Sequence, residues 1–296
     1  MPSARHDPRT GGSLVVVGTG IQAIAQTTIG AQSCIAEADE VLYLAGEPFA
    51  RHWVASLNPR AESLSPFYDG NRHLLLTYGL MVERILRGVR AGLRVCAVFY
   101  GSPAVLVHAA REAVAVARSE GYPAIMLPAV SAEDCLLADL GIDPGRRGLQ
   151  SYEATDFVLR PRPVDTSVPM VLWQVGVVGD HRGGTYTQDA LSALTAVLVD
   201  LYGAEHQVVL YQAATLAVCD PIADWLALRD LVQAAPSSST LLFVPPNLEP
   251  PIDRAMAERL GFDPAEVSSL AEASVSLYRD IGARVDPGAA GRQPLP

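Results

Sequence analysis

The chain has 296 residues, and all 22 of its Lys/Arg side chains are arginine. Without lysine there is no P-loop phosphate lysine, no Schiff-base amine of the kind pyridoxal phosphate enzymes need, and no lysine general base; arginine keeps its proton and cannot stand in. An apolar content of 49%, a charged content of 18% and a net charge of −10 describe a well-packed globular protein with no basic stripe for a nucleic acid backbone.

No apolar run reaches the roughly 18 residues of a membrane span, and the opening MPSARHDPRTGGS lacks the apolar core of a secretory signal. No membrane partner and a cytoplasmic location are therefore expected. Cys34, Cys96, Cys135 and Cys219 stand far apart with no CxxC or Cys/His cluster, so neither a metal nor a disulfide framework is expected.

In chain order, residues 1–12 read as a flexible tail, and LVVVGTG (14–20) as a buried strand entering a glycine turn. Residues 22–37 suit a helix and 41–44 a strand. Residues 48–70 read as irregular because Pro48, Pro59, Pro66 and Gly70 interrupt them. A long helix is predicted from Leu74 to Arg90, closed at Gly92. Then come a strand at 94–103, a helix at 105–119, a strand at 124–130, and a helix at 131–141 with Ser131 as N-cap and an acidic first turn. Repeated strand–turn–helix units imply a parallel sheet covered by helices.

The turn-rich IDPGRRG (142–148) is the candidate junction between an N-terminal α/β domain (13–145) and a C-terminal one (146–250). The second has strands at 150–155, 170–178, 207–213 and 240–246 and helices near 188–202 and 222–234. Residues 251–296 are expected to be an extension that is helical to about 283, with a frayed end.

Gly18-x-Gly20-x-x-Ala23 fits the loose dinucleotide fingerprint, but the expected acid about 20 residues on is misplaced. A nicotinamide cofactor, another adenosyl ligand and a purely structural turn all remain open at this point. Two further strands end in small-residue turns, at Tyr100-Gly101-Ser102-Pro103 and at Pro128-Ala-Val-Ser131-Ala132. Three such turns in one domain favour a ligand at the carboxyl edge of the sheet.

The stretch EGYPAIMLPAVSAEDCLLADLGIDPGRRGLQSYEATDFVLRPRP (120–163), with GTGI (18–21), FYGSP (99–103), VLWQVGVVG (171–179) and STLLFVPP (239–246), resembles the methyltransferase domain of borosin peptide backbone α-N-methyltransferases. The likeness covers about residues 13–260 and points to the split, bacterial kind. The family sits within the tetrapyrrole methylase-like (class III) fold. That resemblance implies two α/β domains with S-adenosyl-L-methionine in a cleft between them and S-adenosyl-L-homocysteine as product. It implies cofactor contacts from Gly18, Gly20, Tyr100, Ser102, Pro103, Val105, Ser131, Ala132, Gln174, Tyr211, Ala213 and Thr240, and no metal. A tyrosine with small residues can enclose an adenosyl group, and Gln174 can both donate and accept hydrogen bonds.

The resemblance also implies a catalytic segment of tyrosines and an arginine leading into the long first-domain helix. Tyr68 and Tyr78 fall on the family's tyrosine positions with the family's spacing. A neighbouring arginine favours a phenolate and would make either tyrosine a usable base. Two features depart from the pattern. The family arginine, six residues after the first tyrosine, is Leu74 here, and a further family tyrosine is Ser65. Arg72 stands where the family often has lysine and is the remaining candidate cation. His73 is a further candidate base.

The final GAAGRQPLP carries no apolar core peptide, so the expected substrate is a separately encoded precursor peptide, and the expected assembly is a homodimer. Competing readings are a small-molecule (tetrapyrrole-like) methyltransferase, a catalytically weak S-adenosylmethionine-binding peptide partner, and a nicotinamide oxidoreductase. The fold-wide GxGPGD loop reads GTGIQA here, which disfavours the first of these.

Overall fold

The computed structural model describes residues 11–68 and 72–263. It divides into two compact units. The first holds the chain up to Cys135 together with His181–Gly184 and Ala213–Asp220; the second holds Leu136–Asp180, Thr185–Gln212 and the chain from Pro221 onward. The junction expected at 145 lies inside the second unit, because the division falls within a helix, α5 (Ala132–Asp139).

The first unit is a five-stranded, wholly parallel sheet in the order β3-β2-β4-β1-β5. Its strands are β1 (Ser13–Gly18), β2 (Glu40–Leu44), β3 (Ala61–Ser63), β4 (Arg94–Phe99) and β5 (Ala124–Met126). Burial on both faces explains the near-continuous apolar runs of β1 and β4. Alternate residues go to opposite layers. Leu14, Val16, Leu42, Ala97 and Phe99 pack on α3 (Leu74–Arg90) and α4 (His108–Ser119). Val17, Val41, Cys96 and Val98 pack on α1 (Ile29–Glu37) and α2 (Pro48–Leu57). Each fully buried large side chain, such as Phe99 or Ile85, contributes about 1.5–3 kcal/mol from burial alone.

Three expectations are corrected here. The helix expected at 22–37 starts only at Ile29, with Thr28 as N-cap. Upstream, the Ile21 and Gln22 amides donate to Gln26 Oε1 at 2.8 and 2.9 Å, and the Thr27 hydroxyl donates to the Thr19 carbonyl at 2.9 Å. These side chains compete with helical backbone bonds. Residues 48–70 are not irregular throughout: Pro48 is the first residue of α2, where its fixed φ starts a helix rather than breaking one, and β3 follows.

The third correction is in the second unit, where 222–227 is a strand. Its sheet runs β6-β7-β10-β8-β9, from β6 (Gln150–Glu153), β7 (Met170–Trp173), β8 (Gln207–Gln212), β9 (Ile222–Ala227) and β10 (Leu241–Val244). Only the β6/β7 pair is parallel. The Ala/Leu-rich segment after Pro221 reads helical by propensity, but pairing with β8 along its whole length, from Gln207↔Ala227 to Gln212↔Ile222, overrides it. A 3-10 turn (Leu228–Gln233) takes the place of the helix's second half.

In the core of this unit, Leu191, Leu194 and Leu198 of α8 (Gln188–Tyr202) pack on Met170, Leu172, Leu210 and Leu242. The expected C-terminal helix is described only as α9 (Arg254–Arg259); the rest of that expectation, like residues 1–10 of the expected tail, lies outside the described residues. Among the described residues no helix is long and apolar enough to cross a membrane.

Candidate functional site

The glycine turn after β1 is closed by its own chain. Gly20 and Gly101 form a backbone bridge, with amide–carbonyl bonds of 3.3 and 3.0 Å, and both have positive φ, +67° and +66°. A Cβ at Gly18 would collide with the Gly101 carbonyl, Ala129 and Pro103. The turn does not open a helix, and the Ile21 and Gln22 amides that a phosphate would need are held by Gln26. These glycines serve close backbone packing, and the dinucleotide reading loses its structural basis.

The loop after β4 is different. Ser102 and Pro103 are buried, the Val105 amide donates to the Ser102 carbonyl at 3.1 Å, and Leu106 is held at φ +54°. Tyr100 helps line a pocket of about 220 Å³ with Ile21, Ala23, Glu47, Phe49 and Leu216. Burial, then nearby Cys135 and Glu47, push the Tyr100 phenol up to about 12. Ser131 is committed to the start of α5: its amide and hydroxyl both donate to Asp134 Oδ2 at 2.7 Å, and the Asp134 amide donates back to the hydroxyl at 3.2 Å. Ala132 is the first residue of that helix.

Tyr68 and Tyr78 meet. Their rings cross edge to face with centroids 6.5 Å apart. Burial pushes both phenols above the ordinary tyrosine range, although Tyr68 stays 41% exposed. Arg72, the cation expected to depress them, is half-buried and engaged with its surroundings. Tyr78 also lies against the ring of His108, at 5.8 Å. His73 is the N-cap of α3, its Nδ1 accepting from the Leu75 amide at 3.2 Å.

In the second unit, register brings the named residues to one edge of the sheet. Leu172 pairs with Leu242 and Leu241 with Tyr211, so Gln174 beyond β7, Thr240 before β10 and the end of β8 align. Gln174 is left-handed, at φ 60°. Tyr211 is fully buried, and its hydroxyl donates to Asp139 Oδ2 at 2.5 Å. Thr240 is also buried; its hydroxyl oxygen accepts from the Ser237 amide at 2.9 Å. Ala213 follows β8 and belongs to the first unit.

Sequence reasoning passed over Gln26, Leu106, His108 and His181. Leu106 and Gln174 are the two non-glycine residues with positive φ among those described. Such strain costs about 1–3 kcal/mol and concentrates at functional loops. Nothing in the local sequence marks Leu106 for it.

A five-stranded parallel unit followed by a mixed-sheet unit, with loops at strand ends carrying the candidate residues, is the build of a two-unit α/β methylase. The profile of the Tetrapyrrole (Corrin/Porphyrin) Methylases matches residues 13–220, and the chain belongs to that family. Among its relatives is the methyltransferase/ribosomally synthesized cyclic peptide gymnopeptides precursor of Gymnopus fusipes, 42% identical over 241 residues, covering 79% of this chain and 57% of the relative. The corresponding omphalotin A precursor of Omphalotus olearius is 40% identical over 260 residues, covering 86% and 62%. A type I borosin cyclic peptide precursor of Serendipita vermifera subsp. bescii is 36% identical over 271 residues, covering 89% and 65%. The chain thus spans about three-fifths of the length of these relatives. Uroporphyrin-III-C-methyltransferase from Thermus thermophilus shares the fold, with a TM-score of 0.58 at 19% identity over 79% of this chain and 94% of that one.

Proposed function

We propose that this protein transfers methyl groups from S-adenosyl-L-methionine to backbone amide nitrogens of a precursor peptide supplied as a separate chain. The observation that carries the reading is the Tyr68–Tyr78 pair, two phenol rings brought edge to face at the start of α3. An amide nitrogen is a poor nucleophile because its lone pair is shared with the carbonyl. The amide proton must leave as the N–CH3 bond forms. Tyr78 is the proton acceptor in this reading, and it acts as the phenolate, its own proton having first been lost to solvent. As the proton passes to the Tyr78 phenolate, Tyr68 would donate toward the negative charge that develops on the amide oxygen. Orientation and fixed dipoles then supply most of the acceleration.

The residues proposed to hold the cofactor are, in the first unit, Tyr100, Ser102, Pro103, Val105, Ser131, Ala132 and Ala213, and in the second Gln174, Tyr211 and Thr240. Gly18 and Gly20 shape the neighbouring turn. The chain fits such a group: a turn whose amides are taken by Gln26 opposes a pyrophosphate but not a ligand without phosphate, and strained Leu106 and Gln174 mark two of the loops. When bound, the cofactor supplies an electrophilic methyl on a positively charged sulfonium, a charge that favours the phenolate. Because Tyr211 and Thr240 spend their side-chain oxygens internally, their contribution is through backbone and shape.

A second reading, a peptide-binding partner with weak turnover, rests on Leu74 occupying the family's arginine position. A homodimer in the cytoplasm completes the proposal and is checked by light scattering of the purified protein. The deciding experiment is co-expression with a candidate precursor, followed by intact and fragment masses. Methyl increments on backbone nitrogens are expected; a peptide that co-purifies unmodified refutes turnover and favours the second reading. Stabilisation by S-adenosylhomocysteine but not by NADH is expected in a thermal shift, and its absence overturns the cofactor assignment.

A further inference from the structure

We propose that the surface segment His181–Gly184 is a positioning strap for the tyrosine pair, with His181 as its anchoring residue. The inference rests on the reading of Tyr68 and Tyr78 as the reacting groups. The segment is flanked on both sides by chain of the second unit, yet it packs as part of the first.

Its purchase is the first turn of α3, where helical amides lack partners within the helix. The Leu76 and Thr77 amides donate to the His73 carbonyl at 2.9 and 3.3 Å, and the Leu75 amide to His73 Nδ1 at 3.2 Å. The remaining amide, that of Leu74, donates to the His181 carbonyl at 3.0 Å. His181 therefore completes a cap that His73 begins. The His181 ring also lies 5.4 Å from the His73 ring, tilted by 37°, and so packs against the side chain that serves the Leu75 amide.

Two residues on, Gly183 adopts φ +83° and lies close over the same region. A Cβ there would stand 3.3 Å from Leu74 Cδ2 and 3.9 Å from Tyr68 Cδ1. A side chain at Gly183 would thus meet Leu74 and Tyr68, and the His181 carbonyl reaches Tyr78 through the turn of α3 that precedes it. The sequence departure at Leu74 gains a physical meaning: a side chain that is apolar, not cationic, receives the strap. Acting through other residues, His181 is a positioning residue, and its loss should slow the reaction without weakening the cofactor. A displacement of about 1 Å at a reacting group costs up to about a hundredfold in rate.

The test uses the full chain with a precursor peptide that it methylates. It measures kcat, KM for the peptide and S-adenosylhomocysteine affinity for His181→Ala, His181→Phe and Gly183→Val. His181→Ala should lower kcat about tenfold, a partial displacement, with KM and cofactor affinity within about twofold. His181→Phe keeps a ring against His73 and should recover most of the rate. Gly183→Val, which crowds Leu74 and Tyr68, should lower kcat at least as much as His181→Ala and decides the matter if His181→Ala fails to fold. Wild-type kcat in either His181→Ala or Gly183→Val overturns the strap, as does equal impairment of His181→Ala and His181→Phe. Tyr78→Phe separates the two ideas: full activity there refutes the tyrosine reading itself, whereas an inactive Tyr78→Phe beside an unimpaired His181→Ala refutes only the strap.

Discussion

Tyr78 and Tyr211 are both tyrosines singled out by the sequence, and their surroundings differ sharply. Tyr211, on the second unit's β8, is fully buried with its hydroxyl on the Asp139 carboxylate. Tyr78, one turn into α3 of the first unit, is half-buried beside a second phenol and an imidazole. Thr240 and Ser131 behave like Tyr211, spending their hydroxyls on their own loops. A side chain with its hydrogen bonds made internally shapes a surface, whereas a half-buried phenol whose neighbours are other rings keeps its oxygen for a ligand in the proposed reading. Family resemblance treats all of these as one site; under the proposed function, their surroundings separate those that hold form from those that would react.

That contrast is broken most directly at Tyr78. Tyr78→Phe should lower methylation by at least about 100-fold, the range for loss of a general base, while S-adenosylhomocysteine affinity stays unchanged in calorimetry. The next effect is on stability. Gly18→Val forces a side chain into the Gly101 carbonyl and Pro103 and should cost roughly 3 kcal/mol in urea unfolding. Tyr211→Phe should cost about 1.5–3 kcal/mol, the range for a hydrogen bond to a charged group, with kcat nearly unchanged. A large loss of rate in that variant would place Tyr211 among the reacting residues and erase the distinction.

The smallest effect lies at the amino edge of the first sheet. Asp39 accepts from the Arg94 side chain at 3.0 and 3.1 Å and from its amide at 3.0 Å, and Arg94 holds its carboxyl at about 2. A folded value below the unfolded one, near 3.9, means stability that is present above about pH 4 and lost as pH falls toward 2. The pair is largely exposed, so the contribution is on the order of 0.5 kcal/mol. Asp39→Asn should flatten the acid limb of stability by that amount in denaturant titrations between pH 2 and 5.

Elements with strong periodicity are legible in the amino-acid sequence alone. The spans of α3 and α8 agree with the sequence reading residue for residue or nearly so, and β1, β4 and β10 stand where β-branched and apolar runs end in turns. The sequence misleads where a residue type has two meanings. Pro48 reads as a breaker and acts as a helix start. Ala- and Leu-rich 222–227 reads as a helix and pairs as an edge strand. Gln26, Thr27 and Thr28 sit in a helical-looking run but bond to nearby backbone and delay α1.

The site shows the same division. Linear order is enough to exclude lysine chemistry, to place Tyr68 and Tyr78 in one segment, and to mark the loops after β1, β4 and β5, because composition and local spacing survive without a fold. Contacts between residues far apart in the chain are out of its reach. Gln26 closing the glycine turn, Leu106 forced to positive φ, His108 beside Tyr78, and His181 completing the cap of α3 all depend on where the backbone returns. Those returns are set by which apolar faces pack and which backbone groups still need a partner, and both are properties of the folded chain.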